Sequence, residues 1–262
     1  MTDPLFLEER RRAILDLLEQ RGRITVKELS DEMQVSEVTI RQDLRALQGQ
    51  GLLERTYGGA VLSGGNIGLK ELAFNIRQMK MRVQKSAIAA QAASLIHDGS
   101  SIALDSSTTV YALMPYLKKF DNLTIVTNGL MAVQSFLDND DRQARVLLTG
   151  GRLRRDSISV VGMPESLPNV NLNLCFFSAR GIAENVGASE IDPDEVAIKQ
   201  AMIARCGHAV LLVDGSKWGK VAPFTVSPTS KLQHIITSND APAHQVERFR
   251  ELGIQVDVVD VR

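Results

Sequence analysis

Ile102-Ala103-Leu104-Asp105-Ser106-Ser107-Thr108-Thr109-Val110 runs from an apolar stretch through a polar loop into the start of a helical pattern. The apolar stretch is continuous instead of alternating, which is the pattern of a strand buried on both faces. Leu123-Thr124-Ile125-Val126, Val146-Leu147-Leu148, Leu174-Cys175-Phe176-Phe177, Ala209-Val210-Leu211-Leu212-Val213 and His234-Ile235-Ile236 read the same way, and helical patterns separate most of them. The fold class is therefore α/β with a mainly parallel sheet. One long helix, over roughly residues 70–97, is predicted ahead of the first strand, with Ala87-Ile88-Ala89-Ala90 and Ala92-Ala93 close against the sheet.

Asp105 to Thr109 lies where a buried strand ends and a helix begins near Val110. Such a loop presents backbone N–H groups, hydroxyls and the positive end of a helix dipole, which suit an anion such as phosphate. Simple N-capping accounts for the same residue types, so both readings stand. Other strand ends carry Thr127-Asn128-Gly129, Gly150-Gly151-Arg152 and Asp214-Gly215-Ser216-Lys217. Ligands of open parallel sheets gather beyond the carboxyl ends of strands, where these segments could converge.

Working back toward the N-terminus, the pattern changes near Ser63-Gly64-Gly65-Asn66-Ile67-Gly68, whose three glycines suit neither helix nor strand interior. The expected organisation is a first domain over residues 1–62, a linker over 63–69 and a second domain over 70–262. In the first, Leu7, Ile14, Leu17 and Leu18 recur at helical spacing until Gly22. Thr25 with Glu28 forms a capping box for a second helix that buries Leu29 and Met33. Ser36 caps a third, in which Ile40, Leu44 and Leu47 share one face. Leu52 to Leu62 reads as two short strands around a Gly-Gly turn. Three helices and a hairpin in this order make a winged helix-turn-helix.

With Ile40, Leu44 and Leu47 turned inward, Val38, Gln42 and Arg45 face outward, flanked by Thr39 and Arg41. Gln pairs with adenine, Arg with guanine or phosphate, and Val with a thymine methyl. Ser36 and Thr39 reach phosphates, and Arg55 and Tyr57 at the hairpin tip reach the backbone or minor groove. Against this stands a protein-interaction module with a solvated polar face. Nine basic residues up to Leu62 face eleven acidic ones, so the field has to be local, carried by Arg41, Arg45 and Arg55 with Arg10 to Arg12 expected near them.

The 262 residues hold Lys+Arg 30 against Asp+Glu 31, with 44% hydrophobic and 23% charged residues, the balance of a folded chain and not of a disordered one. No apolar stretch is long enough to span a bilayer, and Met1 to Arg12 lacks a signal-peptide core, so the expected compartment is the cytoplasm. Cys175 and Cys206 are read as buried thiols, and neither they nor His97, His208, His234 and His244 show metal-ligand spacing. No metal or cofactor is expected. Trp218 is read as packing, and Arg152, Arg154 and Arg155 as a solvated basic loop within reach of effector or DNA.

Val35-Ser36-Glu37-Val38-Thr39-Ile40-Arg41-Gln42-Asp43-Leu44, followed by Gly51-Leu52-Leu53-Glu54-Arg55-Thr56-Tyr57-Gly58-Gly59-Ala60, closely resembles the N-terminal signature of the DeoR family of bacterial sugar-metabolism regulators. The chain departs from the usual family pattern at Gln42, where a second Arg is usual, and at Tyr57, where His is usual. The resemblance implies DNA contacts at Ser36, Thr39, Arg41, Gln42 and Arg55, with Glu37 and Val38 at variable positions. It extends through Asp105 to Thr109, Thr127-Asn128, Gly150-Gly151, Gly162, Gly181, Glu195 with Lys199, and Asp214 with Lys217, which match the DeoR-type effector domain. That domain is related in fold to ribose-5-phosphate isomerase and coenzyme A transferases.

The resemblance implies a sensor for a phosphorylated sugar or polyol. Ser106, Ser107, Thr108 and Thr109 would hold phosphate, Asp105 and Asn128 sugar hydroxyls, and Lys217 either group; Gly150, Gly151, Arg152, Glu195, Lys199 and Asp214 complete the expected pocket. Arg180 stands in Phe177-Ser178-Ala179-Arg180-Gly181 where the family usually has Asp, so either an extra anionic group is bound or Arg180 faces elsewhere. The expected function is a repressor of a carbohydrate-catabolism operon, acting on double-stranded DNA as a homodimer or homotetramer. The alternative is a sugar-phosphate isomerase or transferase-like enzyme, with acid-base groups among Glu195, Lys199, Asp214 and Lys217 and a head for protein contacts. In the bland version Glu195 and Lys199 are only an i, i+4 surface ion pair.

Overall fold

The computed structural model describes residues 7–49, 53–61, 68–138 and 144–261. The chain divides into two compact units, Met1–Lys80 and Met81–Arg262. Leu52 and residues 62–67, which hold the end of the hairpin and most of the expected linker, lie outside the described residues.

In the first unit, α1 (Leu7–Arg21) ends where Gly22 takes a left-handed φ of 73° and donates its N–H to Leu18 O. Its buried stripe is Ile14, Leu15 and Leu18, whereas Leu7 is exposed. A short strand β1 (Arg23–Thr25) precedes α2 (Val26–Met33), whose capping box is formed: Glu28 N donates to Thr25 Oγ1 and Thr25 N to Glu28 Oε2. α3 (Glu37–Gly49) buries Ile40, Leu44 and Leu47 against Ile14, Leu18 and Leu29. β2 (Glu54–Thr56) and β3 (Gly59–Val61) form the hairpin, but its turn is Tyr57-Gly58, and β1 joins as a third antiparallel strand in the order β1-β3-β2. Gly59 is inside a strand because a Cβ there would fall 2.3 Å from Ile24 O.

The long helix expected over 70–97 is two helices. α4 (Gly68–Met79) belongs to the first unit, where Ile76 joins the core of Leu18, Leu44 and Leu47. α5 (Arg82–Ala93) starts the second unit after Met81, whose φ of 56° breaks the helical path. Residues 68–69, placed in the linker by sequence, are already helical in α4.

The second unit continues through β4 (Ser101–Leu104), α6 (Thr108–Tyr111), α7 (Met114–Leu117), β5 (Thr124–Thr127), α8 (Leu130–Asp138) and β6 (Arg145–Leu148). A small hairpin, β7 (Arg152–Arg154) and β8 (Ser159–Val161), leads to β9 (Leu172–Phe177), β10 (Gly181–Ala183), β11 (Gly187–Glu190) and α9 (Pro193–Ala204). Then come β12 (Cys206–Val213), β13 (Phe224–Ser227), β14 (His234–Ser238), α10 (Ala243–Glu251) and β15 (Gln255–Val259). Seven strands form one sheet in the order β15-β14-β12-β9-β4-β5-β6, every neighbour pair parallel.

Both faces of this sheet are covered. Ala103, Cys175, Phe177, Leu211 and Val213 pack on one side with Ile198 and Met202 of α9 and Phe249 of α10. Ile102, Leu104, Phe176, Val210 and Leu212 pack on the other with Ile88, Ala89 and Ala92 of α5. Successive residues of each strand thus enter opposite cores, which is why the runs are continuously apolar. From β4 the chain proceeds to β5 and β6 on one side, while β9, β12, β14 and β15 lie on the other. The sheet therefore has its switch point between β4 and β9, at whose carboxyl ends ligands of such folds bind.

Cys175 is buried, but Cys206 is only half-buried, at the start of β12, where its thiol donates to Ile203 O. Trp218 packs edge-on against Phe249 and donates its indole N–H to Thr237 Oγ1, so its ring is engaged in packing.

Candidate functional site

In the first unit, Ser36 Oγ accepts the Thr39 N–H at 3.2 Å and lies 2.9 Å from Thr39 Oγ1, holding the N-terminal turn of α3. Val38, Arg41, Gln42 and Arg45 are exposed, and Glu37 and Thr39 partly so. Arg41 donates to Glu37 at 2.7 Å, one turn back on the same helix. Arg55 and Tyr57 project from the hairpin, exposed. The expected reading face is thus assembled on one surface of α3. Arg10 and Arg11 do not extend it, because both pair with Asp43, at 2.6 and 3.0 Å, and Asp43 is buried on the inner side of α3. A buried carboxylate needs such partners, and here it draws two guanidinium groups onto the α1–α3 seam.

In the second unit, the loop after β4 is organised by Asp105. Its Oδ1 accepts the Ser107 N–H at 2.8 Å and its Oδ2 the Ser178 N–H, also at 2.8 Å, from just beyond β9. The carboxylate therefore bridges the switch point. Ser107 Oγ accepts the Val110 N–H, so that hydroxyl is an ordinary cap. Thr108 Oγ1 accepts from the buried Lys85 Nζ at 3.1 Å. The hydroxyls of Ser106 and Thr109 have no hydrogen-bond partner among the described residues. Gly129, after β5, lies against this loop: a Cβ on it would come within 3.2 Å of Ser106 Cα. Asn128 donates to Val160 O through Nδ2, while its buried Oδ1, like the buried Thr149 Oγ1 after β6, has no partner among the described residues. Buried polar atoms without partners are uncommon and mark places where a ligand or water completes the bonding.

Lys199 is buried on α9 and points at the same loop. Its Nζ lies 3.1 Å from Asp105 Oδ2 and 3.1 Å from Glu190 Oε2, and donates to Ser178 O at 2.8 Å. Burial alone would depress this ammonium, but Asp105, Glu190 and Glu195 outweigh burial and hold it well above the ordinary lysine range. Glu190 also forms an ion pair with Arg180, Oε1 to Nε at 3.4 Å, so Asp105, Lys199, Glu190 and Arg180 form a continuous chain of alternating charge.

Glu195 and Lys199 are not a surface ion pair. Both are buried, and Glu195 accepts from Arg154 at 2.5 Å while Lys199 turns to Asp105 and Glu190. Burial pushes the Glu195 carboxyl up, but Lys199 and Arg154 pull it further down, leaving it below its usual range. Arg154 is therefore structural, not a solvated loop cation. Arg152 is exposed and pairs with Asp194 at the start of α9, and Gly151 is where a Cβ would strike Val161 O at 2.5 Å. Gly150 lies against Ser166. The described contacts tie Gly150 to Ser166, Gly151 to β8 and Arg152 to α9, not to the Asp105 loop. Asp214 caps the turn after β12, its Oδ1 accepting the Ser216 N–H at 3.0 Å. Lys217, half-buried in that turn, has no ion-pair partner among the described residues.

Lys85, Ser178 and Glu190 contact the cluster around Asp105 and escaped the sequence reading. Lys85 had a signal: it lies on the stripe of Ile88, Ala89 and Ala92 and so had to face the core. Glu190 had only its place at the end of a short strand.

Residues 10–64 match the DeoR-like helix-turn-helix domain, and residues 80–239 match the DeoR C terminal sensor domain. The chain is 33% identical over 258 residues to the HTH-type transcriptional regulator GolR of Listeria innocua, covering 98% of this chain and 100% of that one. It is 29% identical over 252 residues to the glycerol-3-phosphate regulon repressor of Escherichia coli, covering 95% and 98%. Among solved structures, ribose 5-phosphate isomerase A of Methanocaldococcus jannaschii aligns with 53% of this chain and 55% of its own at 14% identity and a TM-score of 0.39.

Proposed function

The chain belongs to the DeoR family of transcriptional regulators, and from that premise we propose a repressor whose hold on its operator is set by a phosphorylated sugar or polyol. The observation that carries the reading is the Asp105–Thr109 loop at the switch point, with unpartnered hydroxyls at Ser106 and Thr109, the buried Lys85 ammonium at Thr108 and the orphaned Asn128 Oδ1 beside it. Phosphate oxygens accept from the hydroxyls and draw on the charge of Lys85, while sugar hydroxyls donate to Asn128 Oδ1. Asp105 serves chiefly to hold the loop, since both its oxygens are engaged by the protein. The glycerol-3-phosphate regulon repressor carries a phosphate ester in its own name, which supports the ligand class.

On DNA, Val38, Gln42 and Arg45 read base edges in the major groove, and Ser36, Thr39, Arg41 and Arg55 contact the backbone. One small head gives modest affinity, so two or more copies act together on repeated half-sites. Release follows from linkage: an effector that binds the low-affinity conformation better weakens DNA binding, and DNA weakens effector binding by the same factor.

Turnover is not part of the proposal. An acid-base catalyst works best with a pKa near the operating pH, whereas Lys199 is pushed up and Glu195 down, both away from neutrality. The test is fluorescence anisotropy of DNA from upstream of the protein's own gene, at two salt concentrations, with and without a panel of sugar phosphates. Specific binding released by one compound is expected. Binding that is absent or indifferent to sequence throughout, together with turnover of a sugar phosphate, overturns the repressor.

A further inference from the structure

The segment after β12 is pressed against the strand that follows Arg180. Gly219 N donates to Ile182 O at 2.8 Å, and a Cβ on Gly181 would fall 2.2 Å from Lys220 O. The backbone segments that carry Arg180 and Lys217 are therefore neighbours, and the two charges act on each other. Arg180 uses Nε on Glu190 at 3.4 Å, but its outer Nη groups have no protein partner among the described residues, and its side chain is 40% exposed. Lys217 makes no hydrogen bond or ion pair through its ammonium among the described residues. Asp214, Glu190, Arg180 and Lys220 all lie near enough to act on its charge.

We propose that the outer face of Arg180 and the ammonium of Lys217 form a second anion subsite for a carboxylate, so that the effector is a phosphorylated sugar acid. The inference rests on the sensor reading above, which supplies the phosphate end, and adds the group at the other end. A planar guanidinium fork with both Nη groups open matches a carboxylate through two parallel N–H bonds. Burial pushes the Lys217 ammonium below the ordinary lysine range, and the neighbouring Arg180 and Lys220 add to this against the pull of Asp214 and Glu190. An anion lying between Arg180 and Lys217 relieves that repulsion. The departure at Arg180 thereby becomes a determinant of which phosphate ester is accepted.

The experiment is isothermal titration of the full chain with matched ligands that differ only at the far end: 6-phosphogluconate against glucitol 6-phosphate, and 4-phosphoerythronate against erythritol 4-phosphate. Fructose 1,6-bisphosphate and inorganic phosphate complete the panel. In at least one pair the acid is expected to bind about tenfold or more tightly than the alcohol, the gain of a charge-assisted bidentate contact. Arg180→Gln is expected to bring the acid down to the level of the alcohol, with Arg180→Lys intermediate. Equal binding of acid and alcohol in both pairs overturns the second subsite and leaves the phosphate sensor standing. Tighter binding of the bisphosphate than of either acid overturns the carboxylate. Failure of every probe, inorganic phosphate included, overturns the sensor reading itself and this inference with it. Should Arg180→Gln not fold, the comparison within each pair on the unaltered chain decides alone.

Discussion

Lys199 Nζ and Asp105 Oδ2 lie 3.1 Å apart, one on α9 and one beyond β4, with both side chains buried. This contact joins the helical layer on one face of the sheet to the loop at its carboxyl edge. Replacing Lys199 by Met leaves Asp105 and Glu190 buried without their shared cation. The expected loss in urea-induced unfolding of the second unit is about 3–5 kcal/mol, the usual cost of stranding a buried charge.

The same cluster sets the pH limits of that unit. The ammonium of Lys199 is held above the lysine range, so its stabilisation is complete below the unfolded value of about 10.4 and is lost as pH rises beyond it. Glu195 is held below the usual range, so its stabilisation is complete above the unfolded value of about 4.3 and disappears as pH falls through the folded one. The contribution of these two groups to melting temperature is expected to be flat between these limits and to fall at both. In Glu195→Gln the acid fall should shrink; an unchanged acid limb would remove Glu195 from the account.

On the proposed reading face, Arg41 is paired with Glu37, and in the proposed complex DNA would have to displace that pair to take the guanidinium. An exposed pair of this kind is worth about 0.2–1 kcal/mol, so Glu37→Gln is expected to tighten binding to non-specific duplex by about two- to fivefold at low salt. Arg45→Ala is expected to weaken operator binding and relax sequence preference while leaving the slope of log K against log salt nearly unchanged, as loss of a base-edge contact does. A slope lowered by about one, with sequence preference kept, would instead assign Arg45 to a phosphate.

Thr108→Val with Thr109→Val keeps the volume of the loop and removes two hydroxyls. Effector-driven release from DNA should disappear in this double variant while operator affinity in the absence of effector stays within about twofold. Lys85→Met should weaken effector binding in the same direction by removing the charge behind Thr108. Full release by the same effector concentration would place the phosphate elsewhere.

Asp43 is the acid on which Arg10 and Arg11 converge. Asp43→Ala removes the buried carboxylate on which two partly buried guanidinium groups converge, and about 3 kcal/mol of head stability is expected to go with it. Circular dichroism of the melt would detect this as an earlier first transition, with the second unit unaffected.

Most of the fold was legible because its strongest signals are local. Thr25 and Glu28 name a capping box by spacing alone, and strands such as Ala209 to Val213 are apolar throughout because both faces are covered. β15 was missed for the opposite reason: at the sheet edge Val256 is buried while Gln255 and Val258 are exposed, so no continuous run exists. The break between α4 and α5 carries no Gly or Pro, and a left-handed Met81 has no sequence signature. In the site, the Asp105 loop announced itself by residue type. The Lys199–Glu190–Arg180 chain did not, because it unites residues from α9, β11 and the loop after β9, which only the folded sheet brings together.

Ile76 lies in the same apolar cluster as Leu18, Leu44 and Leu47, although it follows the glycine-rich break in the chain. The hereditary unit of DNA reading in this protein is therefore longer than its signature. A hybrid gene that spliced a foreign sensor at Ser63 would inherit a head with one wall of its interior missing. The same splice made at Met81 would carry the whole module across intact.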